Sequence, residues 1–267
     1  MIGFKINIYM KSQSSKNRIV QFWDNKPCGT FGIIPENVTL DYFLKIKERR
    51  YKLEPFIKQI VQFEKWQDKK VLEVGCGIGI DGMEFAKNGS DYTGVDISEK
   101  SLELAKTYFA LNEQKVNLLV ADAENLPFEN NTFDLVYSWG VLHHTPNTQK
   151  AIEEIYRVLK PEGKIIVMLY NKYSMVGLQL YIRYGFLRGN LRANLNDLYA
   201  FHHESPGTKA FTDKEAKDLF SRFRELKISN IVTPYDLRIA RNIFLPKIFQ
   251  LVIPSRLGFF KIIQAEK

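Results

Sequence analysis

The segment Val71-Leu72-Glu73-Val74-Gly75-Cys76-Gly77-Ile78-Gly79 constrains the fold most: a short apolar run ends in three glycines at alternate positions. Such a run reads as a buried strand, and the glycines that follow let backbone approach a ligand with no Cβ in the way. A second run, Tyr92-Thr93-Gly94-Val95, closes on Asp96. A carboxylate at a strand tip can accept both hydroxyls of a ribose, so strand, glycine turn, helix and acid-tipped strand are the parts with which an α/β sheet holds a nucleoside.

The remaining elements extend that frame. Apolar runs predict strands at 70–74, 91–96, 117–121, 133–138 and 164–170, continuous as expected when a parallel sheet is covered on both faces. Helices are predicted at 81–88, after a Ser98 cap, and at 148–159, where Ile152, Ile155, Tyr156 and Leu159 recur at helical spacing. Phe211-Thr212-Asp213-Lys214-Glu215 reads as a capped helix start, 225–232 as a strand and 258–265 as the last strand. The expected fold class is α/β, a Rossmann-like, seven-stranded and mostly parallel sheet with one antiparallel strand and helices on both faces.

Gly77-Ile78-Gly79-Ile80-Asp81-Gly82 also satisfies the dinucleotide pattern G-x-G-x-x-G, with Asp96 at about the ~20-residue distance of such a site. The full segment Glu73-Val74-Gly75-Cys76-Gly77-Ile78-Gly79 instead resembles motif I of the class I S-adenosylmethionine (SAM) methyltransferases, E/D-x-G-x-G-x-G. Four further segments follow in the family's order: Gly94-Val95-Asp96-Ile97-Ser98, Ala121-Asp122-Ala123-Glu124-Asn125-Leu126-Pro127-Phe128, the strand and loop from Phe133 to His144, and Leu159-Lys160-Pro161-Glu162-Gly163-Lys164. In the last of these Glu162 stands where the family has a glycine, a change expected to matter little in a turn that keeps Pro161 and Gly163.

The resemblance implies SAM as cofactor and S-adenosylhomocysteine as product. It assigns Glu73 to the loop and the methionine amino group, and Gly75, Cys76, Gly77 and Gly79 to the passage under the methionyl and ribose parts. It places Asp96 on the ribose diol, Ile97 against the adenine, Asp122 with Ala123 at the adenine amine, and Ser138 at the end of the fourth strand.

Two segments lie outside this frame, and substrate choice is expected there. Residues 1–66 read as a lid with a loop at 22–29 and a long helix from about 39 to 63 that Pro55 kinks; residues 67–267 form the SAM-binding domain. Residues 171–210 form a second lid, inserted after strand five, with an aromatic stretch from Leu178 to Leu187. Both stand where ligands bind in such sheets, outside the carboxyl ends of the strands.

All four histidines fall near that end: His143 and His144 after strand four, His202 and His203 in the insertion. Methyl transfer needs alignment and, for many acceptors, a base, so these four are the catalytic candidates. Hydrogen bonding within the loop accounts equally for His202 and His203, and a structural place for His143 and His144. No histidine–glutamate spacing matches a metal site, so no metal is expected. Trp23, Trp139 and Tyr170 line the pocket or belong to the core.

An N-P-P-Y tetrapeptide and a cysteine are both missing after strand four, which argues against methylation of bases in nucleic acid; no nucleic-acid partner is expected. The reading is a methyltransferase acting on oxygen or nitrogen of a small natural-product, sugar or lipid-linked metabolite, as monomer or homodimer. The alternatives are a non-catalytic SAM-binding regulatory or scaffold protein, and a quinone or lipid methyltransferase at the membrane surface. Of the net charge of +8, most lies in 171–260, with 14 Lys and Arg against 7 Asp and Glu, and the stretch 239–253 combines base with apolar residues. That combination fits weak peripheral membrane contact, or packing on the sheet or a dimer partner. Two cysteines and a start with no signal-peptide layout predict a cytoplasmic protein.

Overall fold

A computed structural model describes residues 16–30, 33–240, 243–246 and 248–267. Its centre is a seven-stranded sheet of β1 (Lys70–Val74), β2 (Asp91–Asp96), β3 (Asn117–Val120), β4 (Phe133–Trp139), β5 (Leu159–Tyr170), β6 (Arg224–Ile231) and, last in the chain, a strand over Phe260–Glu266. The order is β3-β2-β1-β4-β5, then the last strand, then β6. β1 to β5 pair in parallel, and the last strand runs antiparallel to both neighbours. The expected fold class is therefore the observed one. A two-strand ribbon, β7 (Arg238–Ala240) with β8 (Ile243–Phe244), precedes the last strand, β9.

The continuous apolar runs follow from burial on both faces. Val71, Leu135, Tyr137, Ile166 and Met168 pack into one core with the N-terminal helices, while Leu72, Val74, Val136, Val167 and Leu169 face the other. The first core takes α2 (Leu40–Leu53), α3 (Phe56–Val61), α4 (Ile80–Lys87) and α5 (Glu99–Leu111); the second takes α6 (Thr148–Val158).

Caps set the boundaries where the sequence put them. Ser98 accepts the N–H of Ser101 to open α5, and Thr212 with Glu215 forms a capping box at the helix Asp213–Leu219.

Four local expectations change. Residues 16–25 form a helix, α1, so 22–29 is a loop only in its second half. Pro55 divides the 39–63 helix instead of kinking it, because its ring cannot continue the ladder and Glu54 leaves the helical region. β5 begins at Leu159, so the presumed turn is a bulged extension of the strand. Within it Glu162 adopts φ +63°, the left-handed region where a glycine carries no penalty, so the replacement there is strained.

The second insertion is helical: α7 (Met175–Leu180) runs through a π-turn, Tyr181–Gly185, into a 3-10 turn, Phe186–Arg188, and α8 (Leu195–His202) returns over the sheet. The helix Asp213–Leu219 is α9, and a short α10 (Phe249–Val252) follows the ribbon.

Candidate active site

The glycine turn is built by backbone. The N–H groups of Gly75 and Cys76 donate to Val95 O at 2.7 and 3.0 Å, which folds the end of β1 over the end of β2. Gly75 sits at φ +78°, and a Cβ there would lie 2.2 Å from Val141. Gly77, at φ +53°, has open space instead and faces the cavity. Its N–H donates to Asp96 Oδ2 at 2.8 Å while Ser98 N–H donates to Oδ1 at 2.9 Å. Backbone donors thus hold both Asp96 oxygens, while burial raises the carboxyl.

The resulting cavity is lined by Gly75, Gly77, Asp96, Ile97, Asp122 and Ala123, with His144 on its far side. Glu73, Cys76, Gly79 and Ser138 are absent from its lining and shape the turn from behind. Glu73 is buried and accepts the Tyr92 hydroxyl at 2.6 Å, burial first and then Asp81 pushing its carboxyl up. Gly79 caps α4 in the left-handed region, and Ser138 Oγ ties β4 to Val74 O at 2.9 Å. Buried Cys76 packs beneath the turn, burial raising its thiol.

Helix α1 roofs this cavity. Lys16 Nζ lies 2.5 Å from Asp122 Oδ2 and 2.7 Å from Glu124 Oε2, and Ser98 Oγ donates to Asp24 at 2.7 Å. Trp23 presents its edge to His144, ring centroids 5.3 Å apart. Lys16 and Ile19 on the roof were not anticipated; only the helical spacing of α1 could have signalled them.

A second cavity of about 490 Å³ adjoins the first, sharing Cys28, Trp139 and Gly140 with it. Aromatic side chains from Tyr170, Tyr184, Tyr235, Phe259 and Phe260 line it, with Arg50 and Glu54 from α2 and its end. Trp139 Nε1 donates to Glu54 Oε2 at 2.9 Å, fixing the indole between the two cavities. Arg50 and Glu54 carry no sequence motif and become visible only in the fold.

The four histidines separate. His143 is fully buried against Tyr170, ring centroids 3.8 Å apart, lines neither cavity, and is held neutral by burial. His202 stacks flat on Tyr184 at 4.0 Å on the outer rim of the second cavity. His203 lines that cavity among Tyr170, Tyr199 and Phe259, and burial lowers it to about 4.

His144 lines the first cavity and reaches toward the second. Thr208 Oγ1 donates to Ser205 O at 2.6 Å and lies 3.2 Å from His144 Nδ1. Ser205 Oγ lies 2.8 Å from the same nitrogen. Nε2 then faces Glu204 Oε2 at 3.3 Å. Tyr170 hydroxyl donates to that oxygen at 2.5 Å; burial raises the Glu204 carboxyl, but His144 and Tyr170 outweigh it and hold it down at about 2. Residues 61 positions apart, 144 and 205, thereby join one polar cluster between the two cavities.

Residues 72–167 match the methyltransferase domain family. Over 133 residues the chain is 35% identical to a sterol 4-C-methyltransferase of Caenorhabditis elegans, covering 47% of this chain and 40% of that one. Over 153 residues it is 29% identical to a ubiquinone biosynthesis O-methyltransferase of Coxiella burnetii, covering 57% and 65%. The chain thus spans between two fifths and two thirds of the length of these relatives. Among solved structures, the magnesium protoporphyrin IX methyltransferase of Synechocystis, with bound SAM, shares the fold at TM-score 0.57 and 11% identity over 95% of this chain and 97% of that one. A protein of Bacillus subtilis does so at 0.56 and 19% identity over 80% and 98%.

The residues present fit SAM: an acid-tipped β2, a glycine with room above it and an apolar wall at Ile97 meet in one cavity, and SAM is the cofactor of this domain. Residues 72–167 thus carry a methyltransferase domain, set in a sheet that shares its fold with a solved methyltransferase that binds SAM.

Proposed function

We propose that this protein transfers a methyl group from SAM to an oxygen or nitrogen of a small-molecule acceptor seated in the second cavity. The observation that carries this reading is the shared wall: Trp139 and Gly140 at the tip of β4 border both cavities, so ligands in the two would meet there. When bound, SAM supplies an electrophilic methyl on a sulfonium. The chain's own residues do the rest. Asp96 and the Gly77 turn fix the nucleoside end, and α1 covers it against water.

The aromatic walls hold a planar or apolar acceptor body. His203, kept neutral by burial, offers a lone pair at neutral pH beside Glu204 and Tyr170, so an acceptor O–H or N–H in this cavity has a proton acceptor at hand. Sterol, quinone and phosphoethanolamine methyltransferases among the relatives support an acceptor of metabolite size.

Calorimetric titration with S-adenosylhomocysteine, with Asp96→Ala as control, followed by a radiolabelled methyl-transfer screen over phenols, amines and lipid-linked acceptors, tests this. Binding that the variant loses, with label entering one acceptor class, supports it. Binding without transfer to any class would favour a SAM-binding regulatory subunit, and failure to bind would remove the reading.

A further inference from the structure

The lid helix has two apolar faces. From α7 through the π-turn to the 3-10 turn, Val176, Leu180 and Tyr184 point into the second cavity. On the opposite face Leu178, Ile182 and Phe186 follow at intervals of four, all exposed, with Leu187 (70%) beside them. A helix apolar all round belongs inside a protein or against a membrane. Here one face is already covered by the cavity.

The outer face has a companion. On α10, Leu251 (84%) and Val252 (68%) are exposed, as is Ile248 just before it. Both α7 and α10 pack against the same 3-10 turn, Pro234–Leu237, and Gln179 Nε2 donates to Asp236 O at 3.0 Å within that junction. The exposed apolar groups therefore sit on two elements that meet at one turn, beside the cavity that Tyr184, Tyr235 and Arg238 help to line.

Charge tells what such a surface would meet. The sequence has no Asp or Glu from 171 to 196, nor from 237 to 265. Arg183, Arg188, Arg192 and Arg256 are exposed among these apolar residues. Apolar side chains rimmed by arginine, on two acid-free stretches that meet at a turn whose Asp236 is buried, match an anionic bilayer surface, where the acyl boundary takes the apolar groups and the headgroups pair the guanidinium groups. Among the described residues no helix is long and apolar enough to span a membrane, so attachment would lie in the interface plane.

We propose that the outer face of 178–187 and α10 docks on an anionic lipid surface, which turns the mouth of the second cavity toward the bilayer. Docking stands independently of the proposed methyl transfer; the route it opens for a membrane-dissolved acceptor rests on that reading. Co-sedimentation of the full chain with vesicles of phosphatidylcholine, alone or mixed with phosphatidylglycerol, tests docking directly. The expected result is pelleting with the mixed vesicles that weakens about tenfold in Phe186→Glu and in Leu251→Glu. S-adenosylhomocysteine titration, unchanged in both variants, certifies their fold. Equal pelleting of wild type and variants, or none with the mixed vesicles, would overturn the proposal. So would a wild-type dimer in analytical ultracentrifugation that Phe186→Glu dissociates without any vesicle binding, which would make a second copy the occupant.

Discussion

Arg50 on α2 grips Asp81 in the first turn of α4 with two nitrogens, Nε donating to Oδ1 at 2.9 Å and Nη2 to Oδ2. Tyr51 and Tyr137 hydroxyls donate to the same carboxylate at 2.9 and 2.7 Å. The N-terminal segment is thus bolted to the helix that follows the glycine turn by a buried, fully donated carboxylate. Burial works to raise Asp81, and Arg50 more than reverses it.

Arg50→Ala should therefore destabilise the fold by about 3 kcal/mol, the usual cost of leaving one member of a buried pair without its partner. Urea unfolding measures it. A loss below about 1 kcal/mol would mean the pair behaves as a surface ion pair.

Gly75 and Gly77 predict opposite failures. Gly75→Ala puts a Cβ into Val141 and should cost several kcal/mol of stability (about 2–4). Gly77→Ala meets no atom, so only the left-handed backbone is penalised, about 1–2 kcal/mol, yet the new methyl stands in the first cavity. Melting temperature and S-adenosylhomocysteine affinity measured on both variants separate the two effects; a Gly77→Ala protein that binds normally would move the ligand away from this turn.

Glu162→Gly should stabilise the protein by up to about 1 kcal/mol, because the strain of φ +63° outweighs the entropy that glycine adds to the unfolded chain. Thermal unfolding would register a rise of a few degrees, about 2–4 °C. No rise would show that the left-handed backbone at this position carries no net strain.

His203→Ala should lower turnover on an accepted substrate by about 10² while leaving S-adenosylhomocysteine affinity unchanged, since His203 lines the second cavity and not the first. An unchanged rate would pass the proton to His144 or Glu204.

Asp236 sets a pH dependence. Burial raises its carboxyl to about 6 although Thr233 N–H, Thr233 hydroxyl and Phe259 N–H all donate to Oδ2. A carboxyl that keeps its proton longer in the fold than in the unfolded chain makes stability fall as pH rises from about 4 to about 6, by up to about 3 kcal/mol. Asp236→Asn keeps the accepting oxygen and has nothing to ionise, so its stability should be flatter across that window. Denaturation curves at pH 4.5 and pH 7 that change equally in the two proteins would contradict this.

The sheet, its helices and the glycine turn with Asp96 were legible because they depend on local chemistry. Continuous apolar runs specify strands buried on two faces, Ser98 and Thr212 declare helix starts, and the glycines with Asp96 carry their conformational and hydrogen-bonding reasons within a few residues. The tertiary structure alone decided which side of the turn each residue faces. Glu73 and Ser138 stand within the motifs yet point away from the cavity, because alternate residues of a strand take opposite faces and the pairing register assigns them. The partition of the histidines was equally hidden: His143 and His144 are neighbours in sequence, yet one is sealed in aromatic core and the other meets Ser205, Thr208 and Glu204 from a loop some sixty residues away. Arg50, Glu54 and Lys16 reach the site for the same reason. Contacts between distant segments depend on how helices pack over the sheet, and no local spacing in the sequence encodes that geometry.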